Sequence, residues 1–79
     1  MEYRYIVFSS VTYSLRAMSL LQKIGIASRL EKIKNIPSLG GCGYALAVKS
    51  NMLDSAVDAI VRDGTRIIEI LDSKENRNE

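Results

Sequence analysis

The sequence predicts an α+β fold of element order βαββαβ. Three observations carry this. Two stretches hold apolar residues at helical spacing, and each closes on a glycine, Gly25 and Gly64. Both are flanked by runs rich in aromatic and β-branched residues, the composition of strands. The two halves also echo each other, since LLQKIGIASRLEKI aligns with AIVRDGTRIIEIL on those two glycines.

Residues 3–8, YRYIVF, read as a first strand bounded by Ser9 and Ser10. Over residues 11–25 the period changes. Ala17, Leu20, Leu21 and Ile24 fall at i, i+3, i+4 and i+7, one face of a helix. Ser10 caps its start through a side-chain oxygen that accepts from an orphan N–H. Gly25 ends it, because glycine tolerates a left-handed backbone there. Residues 26–33 alternate imperfectly between apolar and polar, as a half-exposed edge strand does. Residues 34–43 hold the only proline and three closely spaced glycines and read as a loop. A third strand follows at 44–49. Ser50 or Asn51 caps a second helix at 52–64, with Leu53, Ala56, Val57 and Ile60 on one face. The last strand is 65–71. Residues 72–79 form a polar tail expected to lack order.

Two βαβ halves of this kind predict a single ferredoxin-like domain over residues 1–71. Right-handed crossovers put both helices on one face of a four-stranded antiparallel sheet, order 4-1-3-2. The carboxyl end of strand one then neighbours the start of strand three. By alternation Tyr3, Tyr5 and Tyr44 are expected to share the helix-free face, where they cover the sheet or pack a homodimer.

Composition narrows the function. Eleven basic residues against nine acidic ones, scattered along the chain, do not predict nucleic-acid binding. No apolar run approaches the roughly 18 residues of a membrane span, and the N-terminus lacks the pattern of a signal peptide. A lone cysteine cannot form an internal disulfide, so a cytoplasmic protein with a free thiol is expected. There is no histidine. That removes the commonest physiological proton shuttle. With a single cysteine it also argues against a dedicated metal site. No cofactor is implied, since G-G-C-G matches neither the Walker nor the dinucleotide glycine spacing.

The chemistry therefore rests on Cys42, set between Gly41 and Gly43. A free cysteine is often buried as a small hydrophobe. The glycine flanks and the loop favour an exposed thiol instead. The topology brings Cys42 to the end of the sheet that holds Ser9, Ser10 and the start of the first helix. A helix N-terminus carries partial positive charge and unpaired N–H groups, which stabilise a nearby anion. The amides of Gly41 and Gly43, with Ser9 and Ser10, are the expected contacts for whatever the sulfur binds. Lys34 adds a cation to the same loop.

The FSS turn, the helix closing in K-I-G-I, and P-S-L-G-G-C-G opening a strand resemble the Se/S carrier protein-like family. These are small bacterial and archaeal domains with a single Cys-Gly at this position. The resemblance spans about residues 3–71, and Cys42-Gly43 after Pro37 is its most specific element. It implies that Cys42 carries sulfur or selenium as a persulfide or perselenide. It also implies a donor such as a cysteine desulfurase, and an acceptor enzyme. Such a protein is a group carrier and needs no turnover chemistry of its own. The alternative is a small regulatory or protein-interaction module in which Cys42 is incidental.

Overall fold

The computed structural model describes residues 2–72. Its elements are β1 (Tyr3–Phe8), α1 (Val11–Lys23), β2 (Arg29–Ile36), β3 (Gly41–Lys49), α2 (Leu53–Arg62) and β4 (Glu69–Leu71). Short 3-10 turns, Pro37–Leu39 and Ser50–Met52, precede β3 and α2. The result is an α+β fold with an antiparallel sheet of order β2-β3-β1-β4, the expected order read from the other edge. No helix among the described residues is long and apolar enough to cross a membrane.

Both helices end in the same cap. After α1, the Gly25 N–H donates to the Gln22 carbonyl and the Ile26 N–H to the Leu21 carbonyl. After α2, the Gly64 N–H donates to Val61 and the Thr65 N–H to Ile60. These are the paired bonds of a Schellman motif, and Gly25 and Gly64 take the positive φ it requires, 83° and 88°. The cap moves two strand boundaries. Ile26, expected in the second strand, is instead the buried apolar residue that follows the cap glycine. β2 therefore starts at Arg29 rather than 26 and runs on to Ile36. Thr65 is likewise spent on the cap, so β4 is confined to Glu69–Leu71 rather than beginning at 65. Residues 73–79 of the expected tail lie outside the described residues.

Ser10 caps α1 as expected, its Oγ accepting from the Tyr13 N–H at 3.3 Å. Neither Ser50 nor Asn51 caps α2. Both belong to a 3-10 turn, and Met52 stands at the cap position without a side-chain bond. The turn's own i→i+3 bond, Leu53 N–H to the Ser50 carbonyl, uses one of the orphan donors instead.

The core has two sides. Ile6 and Phe8 of β1 and Leu46 and Val48 of β3 meet Ala17 and Leu21 of α1 and Ala56 and Ile60 of α2 in one cluster. Each large side chain buried there contributes about 1.5–3 kcal/mol. Ser14 is also fully buried on this side. Its hydroxyl donates back to the Ser10 carbonyl at 3.1 Å, which removes the cost of burying it. On the opposite side of the sheet Val7, Ile33, Ile36, Ala45 and Leu71 form a smaller cluster. No helix belongs to it, but the 3-10 turn after β2 folds across this face. Glu69 Oε1 on β4 accepts from the Ser38 N–H at 3.3 Å and from the Ser38 hydroxyl at 2.5 Å. Ser38 follows one edge strand and Glu69 lies on the other, so the turn straps the width of the sheet.

The tyrosines divide between the faces. Tyr5 packs with the smaller cluster, and the Arg29 guanidinium lies 5.2 Å from the centroid of the Tyr3 ring. Tyr44 does not join them. It pairs with Phe8, and directly opposed residues share a face, so Tyr44 belongs to the helix side. Arg29 also meets Glu31 at 2.6 Å, and that hydrogen bond and charge raise the guanidinium pKa above its ordinary value.

Candidate functional site

Cys42 is an exposed free thiol. It does not sit in a long loop as expected. Its chain neighbours Gly41 and Gly43 both pair with β2, so the expected loop 34–43 shrinks to the turn over residues 37–40. Pro37 opens that turn with its preset φ. Gly40 closes it in the left-handed region at φ 69°, its N–H donating to the Ile36 carbonyl at 2.9 Å. Cys42 is then the second residue of β3.

The register defines its surroundings. β1 and β3 pair from Tyr3–Lys49 to Phe8–Tyr44. Ser10 follows Phe8 by two residues, and Cys42 precedes Tyr44 by two. Both therefore leave the central strand pair at the same end, where α1 begins. Across the other edge of β3 the ladder slips. Ile33 pairs with Gly43 and Ile36 with Gly41. Lys34 and Asn35 together stand against the single residue Cys42, as in a β-bulge. Adjacent strands lie about 4.8 Å apart, so the bulge makes Lys34 a direct cross-strand neighbour of the thiol residue. Lys34 is exposed.

The other expected contacts are less uniform. Ser9 is exposed. Ser10 is already engaged in the cap of α1, its Oγ bonded to Tyr13 and its carbonyl to Ser14. Gly41 and Gly43 lie in the β2–β3 ladder, and the two differ. A Cβ on Gly41 would meet nothing within 4 Å. One on Gly43 would come within 2.6 Å of Leu39 Cδ1 and 2.8 Å of Ile36 Cδ1. Gly43 is thus the floor on which the strap's Leu39 rests. Two features are not legible in the sequence, the bulge that sets Lys34 and Asn35 opposite Cys42 and the Ser38–Glu69 tether. The tether joins residues 31 apart, and nothing in local spacing marks either one.

What the arrangement offers chemically is one accessible sulfur, a neighbouring cationic residue and a helix N-terminus at the same end of the sheet. A thiolate nucleophile needs access and a stabilised negative charge. Comparison of the chain with family models, with curated proteins and with solved structures finds no match.

Proposed function

We propose that this chain is a ferredoxin-like sulfur or selenium carrier whose working group is the Cys42 thiolate. The observation that carries the reading is an exposed thiol that stands opposite the Lys34–Asn35 bulge of β2. The N-terminus of α1 at the same end of the sheet supports it, since a helix N-terminus offers unpaired N–H groups to an anionic cargo such as a persulfide. The transfer balances without an oxidant. The Cys42 thiolate attacks the terminal sulfur of a donor persulfide. A new S–S bond forms as the donor's S–S bond breaks, and the electron pair leaves with the donor thiolate. An acceptor nucleophile reverses the step and regenerates the Cys42 thiolate. Selenium follows the same course. A carrier of this kind needs no proton shuttle, which agrees with a chain that lacks histidine.

The test is intact mass under non-reducing conditions after incubation with a cysteine desulfurase and cysteine. The native chain gains one sulfur atom, the gain disappears on reduction, and Cys42→Ser gains none. No adduct on the native chain, or an equal adduct on Cys42→Ser, overturns the proposal.

A further inference from the structure

We propose that the flank formed by α1 and β2 is a docking surface for an acidic amphipathic helix of a partner protein. On α1, Val11, Leu15 and Met18 fall at i, i+4 and i+7, an apolar stripe about 10 Å long that the polar Gln22 continues, with Met18 partly buried against the core. Val11 is 37% and Leu15 44% exposed. The stripe is turned towards β2. Met18 and Gln22 line a shallow cleft of about 400 Å³ with Ile26, Ala27 and Ser28, the approach to that strand. The other flank of α1 faces α2, where Arg16 pairs with Asp63 at 3.2 Å.

Charge names the occupant. The chain has no carboxylate side chain between Glu2 and Glu31, and none between Glu31 and Asp54. Glu31 is engaged by Arg29. The remaining acids of the described chain beyond Glu31 lie on α2, its cap, β4 and just after it. The sheet order puts β4 at the edge away from β2. Lys32 and Lys34 of β2 are exposed and have no carboxylate partner among the described residues. An exposed apolar stripe beside unpaired cations, on a side almost free of carboxylates, complements an apolar helix face rimmed with Asp or Glu. A partner strand fits less well. The bulge at Lys34 and Asn35 makes the outer strand β2 irregular, and edge lysines oppose strand addition. The stripe begins at the end of the sheet that holds Cys42, so a helix lying on it ends beside the thiol. The surface is inferred from charge and exposure and stands whether or not Cys42 carries cargo.

The probe is a labelled peptide of about 18 residues with Leu on one helical face and Glu elsewhere. Its binding to the full chain is read by fluorescence anisotropy at low salt. Saturable binding is expected, weakening in about 0.5 M salt. Leu15→Ser and the double change Lys32→Glu with Lys34→Glu each weaken it about tenfold or more, whereas Asp58→Asn on α2 leaves it unchanged. All these positions are exposed, and a thermal melt of each variant verifies the fold. The proposal is overturned by no binding up to about 1 mM peptide. Equal binding of a matched peptide with Lys in place of Glu also overturns it, as does indifference to the α1 and β2 changes. Two further outcomes reassign the surface and count against it. One is variant-sensitive binding to anionic phospholipid vesicles without peptide binding. The other is self-association of the chain abolished by the Lys32 and Lys34 changes.

Discussion

Gly41 and Gly43 are two residues apart on β3, on the same face of the strand, yet the same substitution is expected to affect them differently. Gly41→Ala places its methyl in open space at a backbone that is not left-handed, and leaves stability within about 0.5 kcal/mol. Gly43→Ala drives a methyl against Leu39 and the buried Ile36. Leu39 is partly exposed and can swing away, which holds the cost to about 1 kcal/mol, the low end for overpacking. Urea denaturation of the two variants measures the contrast, and equal losses would refute this role for Gly43. Cys42 is legible at the same scale. The sequence marked the residue by its uniqueness and its glycine neighbours, and both are local facts. It could not place Lys34 opposite the sulfur, because a one-residue slip in the ladder depends on how two strands meet.

At the level of elements, the strap over the sheet carries the next prediction. Glu69→Ala removes the acceptor of both Ser38 bonds. These bonds are exposed, so the global loss is expected near about 1 kcal/mol. The local effect is larger in kind. Hydrogen exchange at the Ser38 amide accelerates while the amides of α1 and α2 keep their protection, because the strap opens below the global unfolding limit. Unchanged exchange at Ser38 would show that Leu39 packing alone holds the turn. The helices were largely legible at this scale. Ser10 and the two cap glycines act through bonds spanning three to five residues, so their sequence signals are strong. The strands were less legible. Ile26 and Thr65 look like strand residues, but each completes a helix cap, and that competition is settled by the helix.

For the molecule as a whole, small size sets the terms. A 79-residue chain has a total stability of roughly 5–10 kcal/mol. Phe8 is fully buried where β1 meets the helix side. Phe8→Ala is therefore expected to cost about 3–5 kcal/mol, visible as a collapse of the urea midpoint. A loss below about 1 kcal/mol would contradict the core described above. Charge is also a whole-molecule property. The basic residues look scattered along the chain; the sequence leaves α1 without a carboxylate and β2 with Glu31 alone, and the sheet order puts β4, which carries Glu69, at the edge away from β2.

By itself the sequence determined the α+β class, the element order, both helices with their glycine ends, and the single cysteine. Each follows from periodicity, local bonding or plain composition. The tertiary structure alone decided where β2 and β3 begin, that Tyr44 turns to the helix side, that Ser38 straps the sheet to Glu69, and that Lys34 neighbours Cys42. The start of β2 follows from the cap of α1, and the rest depend on register between strands. Register is fixed by contacts between residues far apart in the chain, and one slipped position re-aims every side chain beyond it.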